Sequence, residues 1–465
     1  MSTEEQQLSV AAVIEATGGT VIHGDRTVVF AGVSTDSRSI KQGELFVALR
    51  GVNFDGHRFC DAAIEQGGGG AIVDKEIAPP AGTEVPLIKV PDSLKALGDV
   101  ANWWRKRHPV PLIAIVGSTG KTTTKEMAAG ILETRYRVMK NEGNFNNLIG
   151  LPLSLLQMNS RHEVAILEMG MNRKGEIRRL TEIAEPNTGI LTNIGPVHLE
   201  GVGSLEGVME AKGELVEEMD TQGRLIFNAD DSLVTKLAQQ FRGERTSFGV
   251  DNPAGWMAND ISLAGNGSVS FTLQGPAGQI PIALQLMGRH QVYNALAAAA
   301  AAFAQGIGME EIKRGLEAFQ PPPMRMEIIT LGQGITVIND AYNANPKSME
   351  AALLALADAG GRKKIAVLGD MWELGPYAEE AHRELGRAVQ GHGIDALFLL
   401  GQFAPCVVQG AKEAGMNPQA IYLGTDRRDV ALRLAQLVKK GDWVLLKGSR
   451  IMKMEEIIED LRKAL

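Results

Sequence analysis

The chain has 465 residues, which is enough for about three domains at roughly 150 residues each. Lys and Arg total 47 against 55 Asp and Glu, and the formal net charge of -8 argues against broad nucleic-acid or membrane-surface binding, which needs a basic face. Cys60 and Cys406 are too few for a disulfide framework or a zinc site. The acidic residues 1–5 are unlike a secretory signal, and the longest apolar run, 295–304, is about half a bilayer span. We therefore expect a cytoplasmic protein without a membrane span and without a nucleic-acid partner.

Residues 1–108 are predicted to form a small α/β domain. Short apolar runs at 44–49 and 70–73 are typical of strands and lie among helical stretches. The basic segment 105–111 contains two prolines and is a candidate hinge at the end of this region.

Residues 109–322 are predicted to form a central domain with a mainly parallel sheet. The predicted strands and helices alternate, as in βαβ units: strands at 112–116, 163–167 and 189–193, with a helix near 176–184. Period-two alternation at 268–286 predicts an antiparallel patch, which is followed by an alanine-rich helix at 291–304.

Residues 323–465 are predicted to form a doubly wound, Rossmann-like domain. Apolar runs alternate with helical patterns of roughly 10–15 residues, as that fold requires. The predicted strands are 335–338, 364–368, 396–400, 420–423 and 443–446.

A glycine-rich segment follows the first strand of the central region and precedes a predicted helix. It consists of Gly117, Ser118, Thr119, Gly120, Lys121, Thr122 and Thr123. The glycines allow backbone N–H groups to approach phosphate oxygens, the lysine adds a positive charge, and Thr122 offers a hydroxyl to Mg²⁺. Ile115 departs from the full phosphate-loop pattern, but the strand–loop–helix context favours binding of ATP or a related nucleotide over a structural turn.

Three further residues are candidates for the chemistry beside this loop. Glu168 ends a predicted strand, where a carboxylate projects into the ligand crevice of a parallel sheet and can hold Mg²⁺. His198 follows another strand and could reach the same cluster. Lys212 lies on a predicted helix, and its residue type alone indicates a solvated surface lysine.

Together these motifs resemble the Mur ligase family, whose members form amide bonds with ATP during peptidoglycan synthesis. The resemblance covers nearly the whole chain. It includes the loop at 117–124, the asparagine-rich block 144–152, the block 193–203 with Lys212, the block 288–297, and the segment 324–327. It implies that Lys212 is carbamylated by CO₂ and, with His198, helps to hold one of two Mg²⁺ ions.

The resemblance also implies roles for residues of the nucleotide site. Asn294 is expected to contact adenine, Arg325 to reach the γ-phosphate, and Asp340 to hold the ribose. Asn339 stands where the family commonly has an acidic residue. The implied catalytic residues are Lys121, His198, Lys212 and Arg325.

Two blocks, 340–349 and 368–375, resemble the family member that adds D-alanyl-D-alanine to UDP-N-acetylmuramoyl-tripeptide. The early motifs at 34–38, 43–48 and 55–57 resemble a UDP-substrate-binding domain. The implied substrate-binding residues are Ser34, Asp36, Ser37, Arg38, Asn147 and Asn343. The resemblance thus implies an ADP-forming ligase of cell-wall biogenesis, on which cell shape and division depend, and which acts as a monomer.

Other functions stay open at this point. The chain could be another Mur ligase, such as the diaminopimelate- or lysine-adding enzyme, or a folylpolyglutamate-synthase relative, which the early UDP motif disfavours. A nucleotide-gated binding protein would also use a phosphate loop. The predicted order is a UDP-substrate domain at 1–108, an ATP domain at 109–322, and a dipeptide domain at 323–465.

Overall fold

The computed structural model describes residues 7–51, 54–78, 82–265 and 267–465, so the acidic residues 1–5 lie outside the described part. Within the described part the strands form three sheets, and each sheet is built from a separate stretch of the chain. The mixed α/β fold class predicted from the sequence is confirmed. Among the described residues, no helix combines the length and apolar character needed to cross a bilayer.

The first stretch contains a five-stranded sheet in the order β1-β5-β4-β3-β2, parallel except for β1. Its elements are α1 (Val10–Thr17), β1 (Thr20–His23), β2 (Val33–Ser34), β3 (Leu45–Val47), α2 (Cys60–Glu65), β4 (Gly70–Val73), β5 (Leu87–Lys89) and α3 (Ser93–Arg107). Polar caps set the helix starts, as where the Asp92 carboxylate accepts the Lys95 N–H at 2.8 Å.

The segment predicted as a hinge is held firmly at its start. The buried Arg105 guanidinium donates to the carbonyls of Ala184, His108 and Val110 at 3.0, 2.6 and 2.8 Å. Helix α3 also packs against helices of the following domain. The basic residues therefore anchor the first sheet to the second.

The central sheet has nine strands in the order β14-β13-β12-β11-β10-β9-β6-β8-β7. The strands from β12 to β14 pair antiparallel, as the alternation at 268–286 predicted, and the others pair parallel. The elements are β6 (Leu112–Val116), α4 (Lys121–Leu132), β7 (Val138–Lys140), α5 (Gly150–Leu155), β8 (Val164–Glu168), α6 (Glu176–Ala184), β9 (Thr188–Leu191), α7 (Leu199–Val202), α8 (Leu205–Glu218), β10 (Arg224–Asn228), α9 (Ser232–Ala238), β11 (Glu244–Gly249), β12 (Trp256–Leu263), β13 (Val269–Gly275), β14 (Gly278–Leu284), α10 (His290–Ala304) and α11 (Met309–Glu317).

Helix α10 packs against α4, the helix that follows the phosphate loop. Its alanines at 295 and 297–302 are buried, because small side chains let the two helices approach closely. This contact brings Asn294 beside the start of α4.

The last sheet has six strands in the order β15-β16-β20-β17-β18-β19. Its elements are β15 (Glu327–Leu331), β16 (Ile335–Asn339), α12 (Pro346–Asp358), β17 (Lys364–Gly369), α13 (Ala378–Gly391), β18 (Ala396–Leu400), α14 (Ala404–Glu413), β19 (Ile421–Leu423), α15 (Arg427–Leu437), β20 (Trp443–Lys447) and α16 (Glu456–Ala464). All pairs are parallel except that of β15 and β16. The predicted strands are present, whereas the antiparallel edge strand β15 was missed because its short, half-exposed run lacks a clear pattern.

Candidate active site

A cleft of about 860 Å³ lies between the carboxyl ends of the central strands and those of the last sheet. Open parallel sheets bind ligands at this end. Of the candidates, the lining contains Ser118, Thr119, Gly120, Lys121, Thr122, Thr123, Asn147, Glu168, His198, Asn294, Arg325, Asp340 and Asn343. The fold thus brings together residues more than 200 positions apart in the chain.

The phosphate loop joins β6 to α4, and its glycines are required by close packing. A Cβ at Gly117 would lie 1.9 Å from the Thr192 hydroxyl oxygen. Gly120 has a φ of +79°, and a Cβ there would lie 2.4 Å from the Asn294 side-chain oxygen. The loop therefore keeps its shape only with glycine at both positions.

A second loop, residues 192–195, supports the phosphate loop from behind. The Asn193 side-chain oxygen accepts the Thr119 N–H at 3.0 Å, and the Thr192 hydroxyl donates to the Thr119 carbonyl at 2.8 Å. The Gly195 N–H donates to the Ser118 hydroxyl at 2.9 Å. These bonds hold the phosphate loop against the second loop.

Glu168 is a buried carboxylate at the end of β8, with only 4% of its surface exposed. It accepts the Thr122 hydroxyl at 2.5 Å and the Asn146 amide at 2.8 Å. Burial raises the pKa of the Glu168 carboxyl, but Lys121, Arg325 and the two hydrogen bonds outweigh burial and hold that pKa below its usual value. Glu168 is therefore ionised at neutral pH.

Lys121 and Lys212 meet at one backbone oxygen. The Gly117 carbonyl accepts the Lys121 ammonium at 2.9 Å and the Lys212 nitrogen at 3.0 Å. Lys212 is only 3% exposed, so the interpretation of it as a solvated surface lysine was wrong. Burial and the neighbouring Lys121 lower its pKa well below the usual value, while Glu168 acts in the opposite sense. Burial likewise lowers the pKa of Lys121.

His198 faces the cleft at the start of α7, with a φ of +52°. Its Nδ1 lies 2.6 Å from the Glu373 carboxylate, which belongs to the last domain. An imidazole held by a carboxylate at Nδ1 directs its Nε2 toward a ligand, a frequent arrangement for metal-binding histidines.

The last domain contributes Arg325, Asp340 and Lys447 to the cleft. The Arg325 guanidinium lies 3.9 Å from the ring centre of Tyr342, within cation–π range. The Asp340 carboxylate accepts the Met326 N–H at 3.1 Å and the Lys447 ammonium at 2.5 Å. Because Lys447 is buried and also donates to the Asn343 carbonyl at 3.0 Å, it ties these two candidates together.

The start of α10 lines the cleft beside the phosphate loop. The Asn294 side-chain oxygen accepts the Thr124 hydroxyl at 3.3 Å, and its amide donates to Gln291 at 2.9 Å. Burial lowers the pKa of the neighbouring His290 to about 4, so its imidazole is neutral at pH 7.

Four candidate substrate residues lie outside the cleft lining, at the end of the edge strand β2 and directly after it: Ser34, Asp36, Ser37 and Arg38. Arg38 is 87% exposed in its side chain and bonds Asp36 at 2.7 Å, and this pairing lowers the pKa of Asp36 to about 2. Asn147 lines the cleft, but its side-chain oxygen accepts the N–H groups of Ile149 and Gly150 at the start of α5. The substrate contacts of Asn147 and of the four residues at 34–38 stay predictions.

The residues implied for Mg²⁺ fit a phosphate-dependent site. Thr122 and Glu168 present two oxygens side by side at the phosphate loop, and Mg²⁺ commonly takes one or two protein oxygens with phosphates and water. In the described ranges, no group of three or more His, Cys, Asp or Glu forms a complete metal site. Phosphate oxygens of a nucleotide and water would supply the remaining ligands that Mg²⁺ takes.

Several residues of the site were not predicted from the sequence. Asn146 lies within the asparagine-rich block, so that block contained the signal. Lys447 ends β20 and directly follows the predicted strand 443–446, the same signal that identified Glu168. Glu373 lies 175 positions from His198, and nothing local indicated their contact. Lys347 donates to the Ile194 carbonyl at 2.6 Å across the domain boundary, again without a local signal.

Comparisons with known proteins agree with this geometry. Residues 115–302 match the Mur ligase middle domain, residues 324–450 the family's glutamate ligase domain, and residues 29–105 its catalytic domain. The UDP-N-acetylmuramoyl-tripeptide–D-alanyl-D-alanine ligase of Bacillus subtilis is 38% identical over 94% of each chain. A crystal structure of MurF from Acinetobacter baumannii aligns with a TM-score of 0.91 at 32% identity, over 98% of this chain and 99% of the other. MurF of Thermotoga maritima in complex with ADP aligns with a TM-score of 0.83 at 28% identity, over 93% and 97%.

Proposed function

The chain belongs to the Mur ligase family, and from this premise we propose how its cleft joins two substrates. The protein is an ATP-dependent ligase of peptidoglycan-precursor synthesis that adds D-alanyl-D-alanine to UDP-N-acetylmuramoyl-tripeptide. One structural observation supports this function above the others: the phosphate loop with Glu168 faces Arg325 and Asp340 of another domain across one cleft. A nucleotide switch protein needs only the phosphate loop with Glu168 and does not need the residues of the other domain.

The reaction requires an activated acid, because a carboxylate does not condense with an amine in water. In the first step a carboxylate oxygen of the tripeptide attacks the γ-phosphorus of ATP, and the bond from that phosphorus to the β-phosphate oxygen breaks. This step yields an acyl phosphate and ADP. Lys121 and Arg325 would neutralise the charge on the transferring phosphoryl group. In the second step the amine of the dipeptide, having lost a proton, attacks the acyl carbon and expels phosphate.

Thr122, Glu168 and His198 are proposed to hold Mg²⁺, which would supply charge neutralisation at the ATP phosphates when bound. Glu168 suits this role because its pKa is held low and its charge is available at neutral pH. The Glu373 carboxylate would keep His198 oriented for the same site.

We propose that Lys212 is carbamylated. A carbamate forms when a neutral amine attacks CO₂ and loses a proton, and burial beside Lys121 favours the neutral amine. The product is an anion next to the Lys121 ammonium, with which it shares the Gly117 carbonyl.

The three regions 1–108, 109–322 and 323–465 are proposed to bind the UDP substrate, ATP and the incoming dipeptide. Contacts of Glu373 and Lys347 with the central domain support closure of the last domain over the cleft, which would exclude water from the acyl phosphate. A monomeric, cytoplasmic enzyme is part of the same proposal.

The test is an assay of ADP release with purified protein. ADP should appear only with both UDP-N-acetylmuramoyl-tripeptide and D-alanyl-D-alanine, together with a product whose mass shows one new amide bond. Tripeptides with diaminopimelate and with lysine should be compared, since the sequence does not distinguish them. ADP release that needs neither substrate would support a nucleotide switch and contradict ligation.

A further inference from the structure

Arg325 lies between two residues with unusual backbone conformations. Met324 has a φ of +61° and Met326 a φ of +53°, and neither is glycine. The left-handed region is unfavourable for residues with a Cβ, so it persists only where neighbouring groups hold it. The conformation of this segment therefore depends on its contacts.

Glu327 holds the first of these residues. One oxygen of its carboxylate accepts the Met324 N–H at 3.0 Å and also the Asn339 side-chain amide at 2.9 Å. Glu327 begins β15 and is the cross-strand partner of Asn339 on β16. The carboxylate thus links the turn before Arg325 to the sheet of the last domain.

Two other contacts complete the support. The Asp340 carboxylate accepts the Met326 N–H at 3.1 Å, and the Tyr342 N–H donates to the Met324 carbonyl at 3.1 Å. The Tyr342 ring lies under the Arg325 guanidinium. The arginine therefore has its backbone held on both sides and its side chain held on one face.

We propose that Glu327 is a positioning residue for Arg325, acting through the left-handed turn at Met324. Asn339 is the matching residue, because its side-chain amide donates to the same Glu327 oxygen. An aspartate at 339 would place two carboxylate oxygens at this contact, where like charges repel. The inference rests on the proposed role of Arg325 at the γ-phosphate.

The first test compares Glu327→Ala with Glu327→Gln. The alanine variant removes both hydrogen bonds and should lower kcat about tenfold or more, with the KM for ATP changed less than about threefold, since a displaced Arg325 affects the transferring phosphoryl group. The glutamine variant keeps an acceptor oxygen and should restore most of kcat. Glu163→Ala is the matched control, because the Glu163 carboxylate also accepts a backbone N–H, that of Arg137 at 2.9 Å, away from the cleft.

The second test asks whether Glu327 acts through Arg325 and Met324. In an Arg325→Ala background, Glu327→Ala should cause no further loss of kcat. Met324→Gly should recover part of the activity of Glu327→Ala, because glycine adopts this φ without a steric penalty. If Glu327→Ala does not fold, Asn339→Asp tests the same contact. This variant should also have a lower kcat than the wild type when equal concentrations of folded protein are compared.

The inference is overturned if folded Glu327→Ala or Asn339→Asp keeps kcat within about twofold of the wild type, or if the Arg325 and Glu327 losses multiply. Failure of glycine to recover activity contradicts the role of the turn. If the wild-type protein itself lacks ligase activity, the proposed function fails first. If the wild type is active and Arg325→Ala loses that activity, the proposed function and the role of Arg325 stand, and the Glu327 variants then test this inference alone.

Discussion

Replacement of Lys212 by alanine tests the most unusual feature of the site, a lysine buried against the phosphate loop. The Lys121 and Lys212 nitrogens share the Gly117 carbonyl, which places them within about 6 Å of each other. A carbamate anion on Lys212 at this separation would attract the Lys121 ammonium by about 3 kcal/mol at an effective dielectric constant near 20. Counted as lost stabilisation of the transition state, in which Lys121 is proposed to neutralise the phosphoryl group, about 3 kcal/mol corresponds to a decrease in kcat of about 100-fold.

The assay measures ADP release by Lys212→Ala with and without short carboxylic acids such as acetate or propionate. These acids should occupy the space of the carbamate and restore part of kcat. Lys236→Ala is the control, because Lys236 is an exposed lysine that pairs with Glu206 on the helix carrying Lys212. Wild-type protein incubated with ¹³C-labelled CO₂ should give a carbamate signal that Lys212→Ala lacks. Full activity of Lys212→Ala, or the absence of both rescue and label, would refute the reasoning.

Further changes have defined outcomes. Glu168→Gln keeps the size of the side chain but removes its charge beside Lys121, and kcat should fall about 100-fold with little change in the melting temperature; a loss under threefold contradicts the assignment. Gly117→Ala should destabilise the protein by about 1–3 kcal/mol and abolish nucleotide binding, whereas Gly130→Ala, with open space around its Cβ, should stabilise it slightly in the same denaturation assay. His290 has a folded pKa of about 4, below its usual value, so its protonation favours unfolding. The free energy of unfolding should therefore fall by about 1–3 kcal/mol as the pH drops from 6.5 to 4. In His290→Gln the free energy of unfolding should fall by that much less over the same pH range.

The features predicted correctly from the sequence share a local origin. The strand, glycine loop and helix at 112–133 are contiguous, so periodicity and composition indicated both the elements and a loop that lines the cleft. Glu168 was identified because a polar residue at the end of an apolar strand has a position set by the sheet itself. The family resemblance then supplied roles that such patterns do not contain.

The features that were missed depend on contacts between distant residues. The burial of Lys212 follows from the packing of α8 beside the phosphate loop. Lys212 shares the apolar face of α8 with Val208 and Leu215, a helical spacing that the reasoning from residue type left out. The bond between His198 and Glu373 joins two domains. The left-handed turns at Met324 and Met326 carry no glycine to mark them, because the surrounding carboxylates rather than the residue type hold them.

The most direct test of the account follows one oxygen atom. UDP-N-acetylmuramoyl-tripeptide labelled with ¹⁸O in its terminal carboxylate is incubated with the protein, ATP and D-alanyl-D-alanine, and the released phosphate is analysed by mass spectrometry. If the carboxylate attacks the γ-phosphorus and phosphate is later expelled, each phosphate formed from a fully labelled carboxylate carries one ¹⁸O atom. Phosphate without ¹⁸O would mean that water attacks ATP, and would contradict ligation through an acyl phosphate.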